Sequence, residues 1–240
     1  MKAQERHHLK QNEFVSTVAT ATHWYQHNQG TVVGGAIAIV VVVLLGSGYF
    51  WFQHRNQEQA GSLLGVAMTI YQAPVVPPSS VPGATQAPGS YSSEKARYEA
   101  ALKAFEDVAN QYPSSTAGLA ARYHSGETLM SLGRADDAKK AYQTVIDKAG
   151  SSIYGPMAKL GLASVMLASG QSDQAIKAFE EMAAQRDGVV PVDGVLMQLA
   201  AAYQKAGKSA EARTAYKRVV DEFPDSPYAQ SARTQMTLLG

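Results

Sequence analysis

A pattern of small, aromatic and branched residues recurs through the second half of the chain at one fixed spacing of 37 residues. Five sets of matching residues follow this spacing: Ala101, Ala138, Ala175 and Ala212; Phe105, Tyr142, Phe179 and Tyr216; Val108, Val145, Met182 and Val219; Gly133, Gly170 and Gly207; and Gly126, Ala163 and Ala200. A fixed period of this length indicates a repeat array, in which each unit buries its apolar face against its neighbours.

The spacing inside one unit predicts a pair of helices. Ala101, Phe105 and Val108 stand at positions i, i+4 and i+7, so they share one helical face on which the aromatic ring is the largest apolar group. Gly133 stands five residues before Ala138, where a glycine in the left-handed conformation ends one helix before the next begins. Each unit is therefore predicted to be a helical hairpin.

These residues resemble the tetratricopeptide repeat. Its order of small residue, glycine, alanine, aromatic and apolar residue appears three times, as Gly126, Gly133, Ala138, Tyr142 and Val145; Ala163, Gly170, Ala175, Phe179 and Met182; and Ala200, Gly207, Ala212, Tyr216 and Val219. The period is three residues longer than the usual 34. Pro113 and Pro224 match the closing proline of the motif, whereas Gly150 and Asp187 replace it in the middle repeats. The resemblance implies an all-α solenoid over residues 94–240, with about three to four repeats and a capping helix at residues 226–239.

The first half of the chain contains an uncharged segment of membrane-spanning length. Residues 31–52 carry no charge and end in Tyr49, Phe50, Trp51 and Phe52, which predicts one transmembrane helix with an aromatic belt. A cleaved signal peptide ending at residues 46–48 is the alternative, but the leading polar region is long and the apolar run continues past those residues. We further predict a juxtamembrane helix at residues 53–72, a partner for the helix of residues 94–110, and a Pro/Ser/Gly-rich linker at residues 73–93.

The flanking charges predict the orientation of this helix. Lys2, Arg6 and Lys10 precede the span, whereas no Lys or Arg follows Arg55 until Lys95. Residues 1–30 are therefore expected in the cytoplasm, and the repeats are expected in the periplasm of a bacterium.

Small residues and histidines near the span suggest two further roles. Gly30, Gly34 and Ala38 lie one helical turn apart, a spacing that permits a homodimer or packing on a partner helix, although glycine is frequent in membrane helices in any case. The histidines of the N-terminal segment are read as solvated residues rather than metal ligands, because nothing in the sequence fixes their geometry: His7, His8, His23 and His27. The sequence predicts neither a metal nor another cofactor.

Composition restricts the class of function. Residues 94–240 hold 17 Lys and Arg against 17 Asp and Glu, and this neutral balance argues against nucleic acid as a partner. Cysteine is absent, and no phosphate-binding loop or nucleophile with a nearby base is present. His124 is given no acidic or hydroxyl partner by the sequence. We therefore predict a binding protein and no enzyme.

In tetratricopeptide arrays the first helix of each hairpin lines a groove that binds protein. The resemblance places these residues in the groove: Ala120, Tyr123, Glu127 and Met130; Met157, Leu160, Ser164 and Leu167; Gly194, Met197, Ala201 and Gln204. The groove is predicted to be apolar, with methionines whose flexible side chains adapt to varied partners, although several of these residues could instead pack between helices. The Lys, Arg and Asn residues of the family's carboxylate clamp are absent.

The whole layout resembles the single-pass ancillary subunit of the bacterial Sec translocon. This resemblance implies periplasmic repeats that bind translocon subunits, periplasmic chaperones or unfolded exported chains. The alternatives are a structural scaffold that binds one folded partner in an envelope assembly of cell-wall or outer-membrane machinery, and an adaptor with inverted topology that faces the cytoplasm.

Overall fold

The computed structural model describes residues 18–78, 87–185 and 188–239 of the chain. It divides into two compact units, residues Met1–Arg55 and Asn56–Gly240. In the first unit residues 18–27 are helical, and a second helix, α1, begins at Gln29 and continues to Tyr71 in the second unit. No β-strand occurs in the described residues, which confirms the predicted all-α fold.

The second unit is a series of helices that follow one another in antiparallel hairpins. The bounds after α1 are α2, Glu94–Gln111; α3, Thr116–Ser131; α4, Ala135–Lys148; α5, Tyr154–Ala168; α6, Ser172–Ala183; α7, Val192–Lys205; α8, Ser209–Glu222; and α9, Ala229–Leu238. From α2 onward each helix packs against the next one in sequence, and α3 also touches α5, as α5 touches α7. Hairpins α3–α4, α5–α6 and α7–α8 are the three repeats that match the sequence pattern, and α9 covers the last of them.

The turn inside each of these hairpins has the same geometry. Gly133, Gly170 and Gly207 adopt φ values of 73°, 80° and 74°, as the sequence predicts. At the first turn the Gly133 amide donates to the Met130 carbonyl at 3.0 Å, and the Arg134 amide donates to the Leu129 carbonyl at 2.8 Å. The same pair of hydrogen bonds closes α5 and α7. This is the Schellman motif, which satisfies carbonyls that a helix end otherwise leaves without partners.

The repeated residues form the core of the array. All four alanines of the repeat are fully buried: Ala101, Ala138, Ala175 and Ala212. The aromatic residues one turn later are 0–3% exposed: Phe105, Tyr142, Phe179 and Tyr216. Because α2, α4, α6 and α8 each carry this apolar stripe on one face only, each of them must pack against neighbouring helices to keep it from water.

The end of α1 supplies the partner helix of α2, as the sequence predicts. Ala67 is fully buried in one cluster with Ala101 and Phe105, and the Tyr71 ring lies 5.9 Å from the Phe105 ring. Residues 56–71 and α2 therefore form a further hairpin before the three sequence-matched ones.

The segment that joins α1 to α2 is fastened at both ends. The Tyr91 amide donates to the Pro74 carbonyl at 3.0 Å, and the Val76 amide donates to the Tyr91 carbonyl at 2.9 Å. Arg97 adds a bond from its guanidinium to the Ala73 carbonyl at 3.3 Å. The predicted linker of residues 73–93 thus begins and ends at one place beside the first hairpin.

Several features predicted from the sequence lie outside the described residues. They are the polar segment before residue 18 with His7 and His8, residues 79–86 of the predicted linker, and Asp187 in the turn after α6.

Candidate protein-binding groove

The predicted groove residues fall on equivalent positions of α3, α5 and α7. Relative to the small residue of each repeat (Gly126, Ala163 or Ala200), they lie three residues before it, one residue after it and four residues after it. We call each such set a groove row. The side chains of the three rows are Tyr123, Glu127 and Met130; Leu160, Ser164 and Leu167; and Met197, Ala201 and Gln204. All but Tyr123 are partly exposed, as are Met157 and Gly194 one turn earlier. Ala120 and Tyr123 are buried at 1% and 9% exposure, so they pack between helices. A binding role for the rows stays a prediction.

A further groove row lies on the end of α1, where the sequence analysis assigned none. Ala67 occupies the buried small-residue position of the first hairpin, so Leu64, Met68 and Tyr71 stand at the three row offsets. All three are partly exposed and pack on the cluster around Phe105. The 37-residue period did not reveal this row, because residues 73–93 separate the two helices of this hairpin. The sequence feature that could have revealed this row is the apolar face of residues 57–72.

Glu127 is the centre of a hydrogen-bonded cluster in the groove row of α3. The Tyr123 hydroxyl donates to Glu127 Oε1 at 3.0 Å, and His124 Nδ1 lies 2.7 Å from Glu127 Oε2. The statement from the sequence that His124 lacks an acidic partner is therefore wrong. The two residues are three positions apart on α3, and this spacing brings their side chains together on a helix.

A chain of neighbouring aromatic rings includes Tyr123 and His124, the two residues in contact with this carboxylate. The ring centroids of neighbouring members lie 5.3–5.9 Å apart. In spatial order the members are Tyr98, Tyr71, Phe105, His124, Tyr123 and Tyr154. The rings come from α1, α2, α3 and α5, so the chain runs across the first hairpins of the array. Offset and edge-on ring pairs at these distances add to the stability of the packing.

The carboxylate alters the protonation of the tyrosines near it. Burial raises the pKa of the Tyr123 hydroxyl far above its ordinary value, and the charge and hydrogen bond of Glu127 raise it further. Burial and the same charge also raise the pKa of Tyr142. Tyr71, which lies well outside the predicted span of residues 31–52, has its pKa raised by burial and then by Glu127. All three effects favour the neutral phenol, because a phenolate would be desolvated beside a like charge.

One cavity beside the array is separate from the groove rows. It has a volume of about 610 Å³ and lies between α6, α7 and α8, with Leu199, Thr214 and Arg218 in its lining. The Tyr203 hydroxyl donates to the Glu180 carboxylate at its edge, and this hydrogen bond raises the pKa of Tyr203 to about 12. Within the described ranges no three His, Asp or Glu residues come together as metal ligands.

The predicted membrane segment is an exposed apolar helix. Among the described residues α1 is the one helix long and apolar enough to cross a membrane, judged by length and composition. Its most apolar stretch has a mean hydropathy of 2.3, and none of this stretch is buried among the described residues. Gly30, Gly34 and Ala38 are exposed on this helix, and a role in helix packing stays a prediction.

Successive helical hairpins with a glycine-closed turn, a buried alanine and an aromatic anchor define a tetratricopeptide-type repeat protein. The chain belongs to the tetratricopeptide repeat-like domain family, whose model matches residues 22–238. The expected repeat fold is thereby confirmed.

A solved structure shows the same fold, and two others are similar in part. TPR-like repeats of a kinesin light chain from Podosopora anserina give a TM-score of 0.57 at 15% identity, over 76% of this chain and 86% of that one. MamA gives a TM-score of 0.48 at 19% identity, over 60% of this chain and 78% of the other. A repeat protein from Parabacteroides merdae gives 0.48 at 12% identity, over 61% of this chain and 55% of the other. A comparison with curated proteins gives no match.

Proposed function

We propose that this protein is a single-pass, membrane-anchored adaptor whose groove rows bind polypeptide. The observation that carries the proposal is the set of partly exposed apolar side chains in the groove rows of α5 and α7, including Leu160, Leu167 and Met197. Repeat arrays of this class bind proteins through such surfaces, and methionines adapt to more than one sequence. The proposal includes no catalytic role and no cofactor.

The membrane anchor rests on residues 31–52. Large apolar side chains in this segment are widely exposed, among them Val42 at 69% and Phe50 at 74%. A continuous apolar surface of this kind requires either lipid or another protein to cover it. The surplus of Lys and Arg before the span supports a cytoplasmic N-terminus and periplasmic repeats in the bacterial inner membrane.

The resemblance to the ancillary Sec subunit supports a more specific role. We propose that the repeats lie close to the translocon and hand exported chains to periplasmic chaperones. An unfolded chain that leaves the translocon presents extended apolar segments, and the apolar rows offer a surface for them.

In-cell photo-crosslinking tests the proposed function. A photo-reactive amino acid replaces Met197 in a groove row, and the matched control carries it at the neighbouring, exposed Gln198. We expect the Met197 site to capture translocon subunits and assorted exported proteins, and the Gln198 site to capture few of them. Equal capture at both sites would refute the groove as the binding surface.

The same experiment separates the alternatives. A scaffold in an envelope assembly would yield one stoichiometric folded partner at Met197, and repeats in the cytoplasm would yield cytoplasmic proteins alone. Because the chain has no cysteine, a single cysteine introduced at Ser231, which is exposed on α9, reports topology by its reaction with a membrane-impermeant maleimide in intact spheroplasts.

A further inference from the structure

Glu127 is the one charged residue among the four groove rows. The other row side chains are apolar or uncharged. The Glu127 side chain is 36% exposed, so a bound partner can reach it. A single carboxylate in an otherwise uncharged surface attracts a cation that a partner brings close and repels an anion.

The contacts of Glu127 leave room for a further donor. The Tyr123 hydroxyl donates to Glu127 Oε1, and His124 Nδ1 lies 2.7 Å from Glu127 Oε2. No Lys or Arg of the described residues lies within ion-pair distance of Glu127. Each carboxylate oxygen has one of these contacts, and a carboxylate offers about four acceptor positions in total. Acceptor positions therefore remain for a donor from a partner.

The aromatic chain suits a cation as well. Tyr71 and Tyr154 are partly exposed members of this chain, which includes Tyr123 and His124, the two residues in contact with Glu127. A Lys or Arg side chain is attracted to the faces of such rings, and its methylene groups pack on apolar surface while its charged end reaches the carboxylate. An Asp or Glu side chain at this place would meet repulsion from Glu127.

We infer that the groove selects extended polypeptide segments in which a single lysine or arginine is flanked by apolar residues, with the cation bound at Glu127. The apolar flanks lie on Met130, Leu160 and Leu167 in the neighbouring positions. This inference rests on the proposed function, because it names the partner chemistry of the same groove.

Binding of a matched peptide series to the full chain in detergent tests the inference. The peptides share an apolar frame of leucine and alanine and differ at the central position, which is lysine, norleucine or glutamate. Norleucine keeps the four side-chain carbons of lysine and lacks its charged amino group. We expect the lysine peptide to bind about 5- to 30-fold more tightly than the norleucine peptide, as for a desolvated cation on rings and a carboxylate. The glutamate peptide should bind most weakly.

The variant Glu127→Gln removes the charge and keeps the size and an acceptor for Tyr123. The lysine preference should then fall to about 1-fold, with norleucine binding unchanged. The matched control is Glu180→Gln, because Glu180 also accepts a tyrosine hydroxyl but lies outside the groove rows. If Glu127→Gln alters folding by circular dichroism, Ser164→Lys supplies the test instead, since it adds a cation to the next row and should weaken the lysine peptide selectively.

The outcomes distinguish the inference from the function on which it rests. If the preference for the lysine peptide remains in Glu127→Gln, or in Ser164→Lys where that variant is used instead, the inference is overturned. The proposed binding of polypeptide in the groove is not affected by this result. Binding of all three peptides with equal affinity to the unaltered protein overturns the inference in the same way. If no peptide binds, and the Met197 and Gln198 sites capture proteins equally in cells, then the proposed groove function itself fails.

Discussion

The ring of Tyr142 lies directly against the backbone of Gly161 in the next hairpin. A Cβ atom placed on Gly161 would stand 2.5 Å from Tyr142 Cζ, which is closer than two such carbon atoms can approach. The same ring lies against Gly126 in its own hairpin, where a Cβ would stand 2.7 Å from Cε1. Tyr142 is thus held between two glycines, and α3, α4 and α5 can pack closely only because both positions lack a side chain.

This contact predicts that Gly161→Ala destabilises the array. The added methyl must push the Tyr142 ring away, and overpacking of this kind costs about 1–3 kcal/mol. The measurement is the free energy of urea unfolding of the full chain in mild detergent. The matched control is Gly194→Ala, because a Cβ there meets only Tyr228 at 3.6 Å, an ordinary contact. Gly194→Ala should stabilise the array by up to about 1 kcal/mol, since alanine favours a helix over glycine. Equal effects of both variants would contradict the predicted clash.

Substitution of a glycine in a hairpin turn is predicted to strain the backbone without causing a steric clash. Gly170 has a φ of 80°, and no atom lies within 4 Å of a Cβ placed there. Gly170→Ala should therefore lower the free energy of unfolding by about 1–2 kcal/mol, because an L-residue is strained in the left-handed region. Gly170→Asn should cost less, as asparagine tolerates this conformation better. The prediction fails if alanine is accepted as well as asparagine in the same urea experiment.

The buried aromatic anchors predict large losses of stability. Phe179 is fully buried in the cluster shared by α6, α7 and α8. Phe179→Ala should lower the free energy of unfolding by about 3–5 kcal/mol, from lost burial and the cavity left behind. Leu238→Ala serves as the comparison, because Leu238 is 74% exposed and its truncation should change stability by no more than about 0.5 kcal/mol. A loss below about 1 kcal/mol for Phe179→Ala would contradict the assigned core.

The tyrosines around Glu127 predict a loss of stability in alkaline solution. The folded-state pKa of Tyr123 is raised above the ordinary value of 10.0, so the folded protein keeps a proton that the unfolded chain releases. Stability from this group is constant below about pH 10 and falls as the pH rises above it, because the unfolded state then binds fewer protons. The measurement is the urea midpoint between pH 8 and pH 11.5, together with tyrosinate absorbance.

Two variants show whether Tyr123 is responsible for this loss of stability. Tyr123→Phe removes the phenol and should make the midpoint less dependent on pH above 10. Tyr25→Phe is the control, because Tyr25 is 47% exposed. An unchanged alkaline slope in Tyr123→Phe would show that Tyr123 does not hold its proton in the folded state.

Much of the fold follows from residue spacing. The glycines at the hairpin turns and the alanine and aromatic positions are local features: a helix places i, i+4 and i+7 on one face in any context, and a left-handed turn needs glycine wherever it occurs. For this reason the helical hairpins, the turn conformation of Gly133 and the partner role of residues 57–72 could be predicted before any contact was known. The lack of charge in residues 31–52 likewise predicts a membrane helix from composition alone.

The tertiary structure alone decided which side chains meet. Spacing could not show that Leu64, Met68 and Tyr71 continue the groove rows, because residues 73–93 break the period between the two helices of that hairpin. Nor could it show the partner of Tyr142, which contacts Gly161 because one hairpin packs on the next. The spacing of His124 and Glu127 permits their contact, and the side-chain conformations in the structure decide that it forms. The sequence determines which residues share a face, whereas the path of the chain in space determines what that face contacts.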